Sequence, residues 1–225
     1  MDTIAKNILK IELWRRAAWN FEKTDLHPES AAAWLAAGDD DKAVNALIKA
    51  GDRAQATPLL IKAKRYKEAL EQAHLWLEEI SQEPQRQADE MVPAFLFLAA
   101  ALTLDQQPEP AFTAYDRARR KLSQSAKTSL PLTTGRNWET LATYGILVKR
   151  PDLIRLGYEK ALTTYGQTFN LQRLRCAGEY LETVKNDHCL SRDLQGRIAS
   201  WQPRSSIKRE RERLWQAMSE FTNKS

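Results

Sequence analysis

The sequence predicts an all-α chain of about ten to twelve helices, stacked as antiparallel pairs. Three observations predict it. Apolar residues recur three to four positions apart along nearly the whole chain, the spacing of one helix face. Glycine is scarce, 8 residues in 225, which argues against a nucleotide-binding α/β fold and against an all-β fold rich in turns. A 13-residue period between Ala37 and Ala69 sets short helices one after another. With 43% hydrophobic residues the chain can bury a real core, which excludes wholesale disorder.

The first helix is expected from Asp2 to about Phe21, with Asp2 and Thr3 as N-caps. Ile4, Ile8, Ile11, Trp14 (or Ala18) and Trp19 form one stripe expected to face inward. Asp25 to Pro28 breaks this helix, and Pro28 suits the first turn of a second, Ser30 to Ala37. In the repeat, Gly38-Asp39 precedes Lys42-Ala43, Gly51-Asp52 precedes Gln55-Ala56, and Lys64-Arg65 precedes Glu68-Ala69. Glycine ends one short helix in a left-handed conformation and aspartate caps the next. The Leu47-Ile48 and Leu60-Ile61 pairs fill the space between helices, and small alanines let them approach. Periodicity of this kind is the mark of an α-solenoid. Pro58 either starts a helix at Thr57 or kinks one that begins earlier. A longer helix follows from about Arg65 to Ile80, then a polar break at Gln82 to Gln87.

Residues 36–71, from Ala-Gly-Asp-Asp-Asp-Lys-Ala to the alanines after Gly51-Asp52, resemble the short-helix solenoids of vesicle-coat and intraflagellar-transport subunits. That resemblance implies a scaffolding role. Residues 92–165 resemble two tetratricopeptide (TPR) repeats. Phe95, Leu98, Ala99 and Leu102 match the first helix of one unit, and Ala111, Tyr115 and Ala118 its second. Trp138, Leu141, Ala142 and Gly145 match the first helix of the next unit, and Tyr158 and Ala161 its second. Ile154 stands where the family has a small alanine, so looser packing is expected there. Ser123 and Gly166 replace the family's closing proline. The units lie 43 residues apart instead of 34, and the excess is assigned to a loop over residues 122–137. This TPR-like resemblance implies a right-handed solenoid with a concave partner-binding face. Carried over by position, that face is Leu96, Ala100 and Thr103 in the first unit, and Arg136, Glu139, Thr143, Ile146 and Leu147 in the second. The set is mixed in character and does not look like a carboxylate clamp.

After Gly166, a helix capped by Asn170 is expected to about Val184, then a turn at Asn186 to His188. Further helices are expected from Leu190 to Trp201 and from Ser205 to Phe221. The chain thus reads as acidic helical repeats over residues 1–83, two TPR-like units over 84–168 and basic helices over 169–225. The net charge of +5 is unevenly placed. Residues 1–110 hold 13 Lys+Arg and 18 Asp+Glu, residues 111–225 hold 21 and 11. Such polarity points to an electrostatic partner or to head-to-tail self-association of opposite ends.

No residue pattern for catalysis, cofactor or metal emerges. Metal-ligand spacings are missing around His27, His74 and His188. Asp187-His188-Cys189 reads as a surface turn, because triads are assembled in space and not along the sequence. Asp39-Asp40-Asp41 lacks the alternating ligands of a calcium loop and reads as a helix N-terminus, where negative charge suits the dipole. Phosphate-binding and nucleophile motifs are absent. The longest apolar run, Val92 to Leu104, is too short for a membrane span. Two cysteines and no secretory pattern at the start predict a cytoplasmic location. Trp14, Trp19, Trp34, Trp76 and Trp138 are expected mainly in the core, with Trp201 and Trp215 more exposed.

Two basic clusters stand out: Arg117, Arg119, Arg120 and Lys121, and Arg204, Lys208, Arg209, Arg211 and Arg213. The first suits a helix C-terminus; the second runs against the dipole of the helix it begins. The expected function is a non-catalytic protein–protein interaction module, an adaptor or scaffold subunit of a larger complex. The alternative is a nucleic-acid-binding accessory subunit that uses the basic C-terminal half for phosphates; the same clusters would also fit an acidic protein surface.

Overall fold

The structure, a computed structural model, describes residues 3–128, 130–166 and 168–185. Among these residues it is all-helical, with ten helices and no strand. They are α1 (Thr3–Lys23), α2 (His27–Ala36), α3 (Asp40–Ala50), α4 (Arg53–Lys62), α5 (Tyr66–Gln82), α6 (Pro84–Leu104), α7 (Pro108–Thr128), α8 (Pro131–Leu147), α9 (Pro151–Tyr165) and α10 (Asn170–Lys185). Helices adjacent in sequence pack as pairs: each of α1 to α5 with the next, and α9 with both α8 and α10. The chain divides into two compact units, Met1–Lys127 and Thr128–Ser225. The two TPR-like segments therefore fall one in each unit. The helices expected at 190–201 and 205–221 lie outside the described residues, as does the turn at 186–188.

Six helices end in the same way. The first or second residue after α1, α2, α3, α4, α6 and α8 takes a left-handed conformation: Asp25, Gly38, Gly51, Lys64, Gln106 and Lys149, with φ between 55° and 76°. The next amide reaches back five residues to a carbonyl of the last turn, as in Asp39 N to Trp34 O at 3.0 Å and Asp52 N to Leu47 O at 3.0 Å. The same bond runs from Arg65 to Leu60, Gln107 to Leu102 and Arg150 to Gly145. These bonds satisfy carbonyls that a helix end would leave bare, and they turn the chain back within two or three residues. Asp39 and Asp52 cap the following helices, each accepting from the amide three residues on, Lys42 N at 3.2 Å and Gln55 N at 3.0 Å. At the third joint Lys64 takes the glycine's place, and Arg65 makes no side-chain cap.

The first unit's core begins where α2 packs against α1 and α3. Ala18, Ala31, Ala33, Ala43, Ala46 and Ala56 bring the helices close around Trp34 and Leu47. The buried Ser30 hydroxyl donates to the Ala18 carbonyl at 3.1 Å, and Trp34 Nε1 donates to Glu22 at 3.0 Å. Further along, Trp76 is sealed at 2% exposure. Its Nε1 donates to Glu90 at 2.6 Å, and Arg86 holds the same carboxylate with two bonds of 2.7 Å.

Several expectations need correction. The stripe of α1 does not all face inward: Ala18 is buried, but Ile8, Ile11, Trp14 and Trp19 are exposed. The cause is length, because α1 has 21 residues and its neighbour α2 only 10, so α2 can cover only about half of it. The polar break at Gln82–Gln87 shrinks to Glu83, because Pro84 opens α6. Proline fits there because the first turn needs no amide donor. Of the two readings of Pro58, the helix that begins earlier is the one found: Pro58 lies inside α4, which runs from Arg53. The loop assigned to 122–137 is helical at Leu122–Thr128 and again from Pro131. Ser123 and Ser125 turn their hydroxyls onto the helix backbone, Ser123 to Arg119 O at 2.9 Å and Ser125 to Leu122 O at 3.0 Å, bonds compatible with helix.

In the second unit α8 and α9 approach closely. Gly157 lies against the backbone of α8: a Cβ there would stand 2.5 Å from Ala142 N and 2.6 Å from Trp138 O. Gly145 makes the same room for Ile154, whose amide would lie 2.8 Å from a Cβ. The packing at Ile154 is thus tight, not loose; the glycine opposite absorbs the larger side chain. Around this contact lie Ala142, Tyr158, Ala161, Tyr165, Cys176 and Tyr180. Tyr158 and Tyr180 stack with ring centroids 4.9 Å apart.

Two substitutions test these packing rules. Gly157→Ala is expected to lower stability by about 1–3 kcal/mol, because the clash is with backbone that cannot turn aside. Lys64→Gly is expected to raise it by up to about 1 kcal/mol, by removing the left-handed cost of a Cβ. Denaturant midpoints of the two variants check both.

Candidate functional surfaces

The structure sorts the expected groove residues by burial. In the first unit Leu96 is 1% exposed and Ala100 is 0% exposed. Both belong to an unbroken buried stretch, Leu96 to Leu102, in which four of seven residues are leucine or phenylalanine and three are alanine. Alanine lets α4 and α5 close on α6, and at 1% and 0% exposure these two residues are core and cannot line an open groove. Thr103 is exposed, and its hydroxyl donates to the Ala99 carbonyl at 2.8 Å. In the second unit Arg136 and Ile146 are exposed, and Thr143 and Leu147 are half-buried.

Glu139 belongs to a polar knot between α8, α9 and α10. One carboxylate oxygen pairs with Arg175 at 2.6 Å, and Arg175 also holds Glu179 at 2.7 Å. The other oxygen is enclosed, as is the Tyr165 hydroxyl, and neither makes a hydrogen bond within the protein. Tyr165 reaches this place because its ring fills the space that a Cβ on Gly135 would need. Burial and the negative Glu139 raise the Tyr165 hydroxyl pKa, and the same two causes raise the Cys176 thiol. Cys176 is fully buried and free. A raised pKa disfavours the thiolate, the form that acts as a nucleophile or metal ligand.

The acidic run behaves as a helix start. Asp39 caps α3, Asp40 pairs with Lys62 at 3.3 Å, and Asp41 pairs with Arg65 at 3.4 Å. His74 is exposed, and the half-buried His27 lies 3.9 Å from Asp25. Among the described residues no group of three or more His, Cys, Asp or Glu could hold a metal ion, and no helix is long and apolar enough to cross a membrane. Trp34 and Trp76 are core, whereas Trp14 and Trp19 are 39% and 55% exposed. Trp201, Trp215, Cys189, His188 and the cluster Arg204, Lys208, Arg209, Arg211 and Arg213 lie outside the described residues.

The first basic cluster does not close its helix: α7 continues past Lys121 to Thr128, so Arg117, Arg119, Arg120 and Lys121 sit mid-helix, with Arg119 and Arg120 on its outer side. Ala111, Ala114, Ala118 and Leu122 bury the inner side. Asp116 divides itself between Arg119 at 3.1 Å and Arg120 at 2.7 Å. Arg117 lies 5.9 Å above the Phe95 ring, and Lys121 is exposed. Sequence reading missed Phe112, which is 70% exposed one helical turn before Asp116. The signal was present: Phe112 follows Ala111 directly and so sits about 100° off the buried stripe.

Comparison with known protein families, with curated proteins and with solved structures finds no match.

The buried thiol gives a chemical test of the second unit. Alkylation by iodoacetamide, mapped to the Cys176 peptide, is expected to be negligible in native protein and complete once denaturant unfolds it. Prompt native labelling would contradict the sealed site.

Proposed function

We propose that the chain is a non-catalytic protein-interaction module, an adaptor or scaffold subunit that contacts a partner through the outer face of α7. The observation that carries this reading is the exposed Phe112 ring, followed on the same face by Asp116, Arg119 and Arg120. An aromatic anchor beside arginines is the composition of an interface hot spot. Asp116 supports a protein partner over nucleic acid. It neutralises one of the two arginine charges it holds, and it fixes both guanidinium groups in one geometry, where phosphate binding favours unpaired cations. The resemblance of the α6–α7 and α8–α9 segments to TPR units agrees with a binding role and adds no chemistry to it.

The test compares wild-type bait with a Phe112→Ala, Arg120→Glu double variant by affinity purification from the native host. Both changes lie on the surface, so the helical content should stay the same. At least one stoichiometric partner of the wild type should be lost, with affinity reduced roughly 30-fold or more for a hot spot of this kind. Retention of every partner would overturn the reading. Binding to single-stranded RNA or DNA that weakens steeply with salt, and disappears in an Arg119→Glu, Arg120→Glu variant, would favour the nucleic-acid alternative instead.

A further inference from the structure

The side of α1 turned away from the core carries the largest group of exposed apolar side chains on any one helix among the described residues. Ile8, Leu9, Leu13 and Trp19 are each 55–58% exposed. At 100° per residue, Leu9, Glu12, Arg16, Trp19 and Lys23 fall within an arc of about 80°. That arc lies opposite the buried Ala18 and the half-buried Ala17 and Phe21. Down the middle of the outer face the order is apolar, acidic, basic, apolar: Leu9, Glu12, Arg16, Trp19. The spacing is three, four and three residues, which is the spacing of a helix–helix seam.

We propose that this face is a self-complementary interface on which a second copy of the chain packs through its own α1, antiparallel to the first. The two-fold axis crosses the outer face midway between Glu12 and Arg16. Leu9 then meets Trp19 of the second copy, and Glu12 meets Arg16 of the second copy. Each pairing occurs twice, as an isologous contact requires. A parallel arrangement would set Glu12 against Glu12 and Arg16 against Arg16, so charge selects the antiparallel one. Glu12 is available: its present partner is Arg15 on the same helix at 2.9 Å, with both side chains about half exposed, and such a bond is weak. Lys23 lies 3.3 Å above the Trp19 ring and fixes the indole against the helix as an anchor.

The size of the face fits a dimer. Taking about 200 Å² for a large apolar side chain, the four exposed ones offer roughly 450 Å². Glu12, Arg16 and Lys23 bring the face near the ~800 Å² that one partner gives to a standard interface. This interface is separate from α7, so it stands or falls independently of the partner proposed there.

Sedimentation equilibrium of the full chain over a range of micromolar concentrations tests it. Wild type should sediment as a dimer. Glu12→Arg places like charges against Arg16 twice, and Arg16→Glu does the same against Glu12. Each single variant should dimerise at least tenfold more weakly, with unchanged helical circular dichroism. An equimolar mixture of the two variants restores both pairings and should recover the dimer mass. A wild type that stays monomeric overturns the proposal, whether α1 is covered by lipid, by another protein or by nothing. So does a dimer indifferent to both single variants, or a mixture that fails to recover. Phe112→Ala should leave the dimer intact, which separates this result from the α7 test.

Discussion

Most of the architecture depends on the left-handed residue that follows a helix. At six joints it lets two amides reach back to the last turn, so the helix closes its own end and the chain reverses at once. Without that closure, helices of ten or eleven residues such as α2, α3 and α4 would leave a large share of their carbonyls unsatisfied. Helices this short are not stable alone. They persist because rapid reversal brings each against its neighbour, and because alanines at Ala31, Ala43, Ala46 and Ala56 let the contact be close. Turn chemistry and core composition are thus one requirement seen at two scales.

The same economy determines what is left outside. A helix longer than its neighbour cannot be fully covered, and α1 is about twice the length of α2. Its surplus apolar side chains are exposed by geometry rather than by composition. On α7 the reasoning differs: alanines bury the inner side completely, and Phe112 stands on the outer side in spite of being apolar. At both places exposed apolar side chains stand beside paired charges. The second unit is organised inward instead, with its carboxylate, tyrosine and thiol enclosed between three helices.

Much of this was legible in the residues. The helical class, the caps at Asp39 and Asp52, the glycine joints and the buried positions Leu98, Ala99, Ala118, Ala142 and Ala161 follow from spacing and residue type. Pro84 and Pro131 were misread as breaks or loop when they open helices; a proline alone does not say on which side of it the helix lies. The α1 stripe was misread because periodicity shows that a face is apolar and not whether a neighbour is long enough to cover it. Leu96 and Ala100 were assigned to a groove by position, whereas burial there depends on how many helices surround α6. Glu139 came close to Tyr165 and Cys176 through tertiary packing that no local pattern encodes.

Four of the left-handed joints, at residues 25, 38, 51 and 64, lie thirteen residues apart. Only two of them are glycines, so the period is deeper in the backbone than in the residue type. Each stretch between joints is a self-contained unit with its own closing bonds and its own complement of small residues. The modular unit of this region is therefore the thirteen-residue step from one reversal to the next, and not the helix pair.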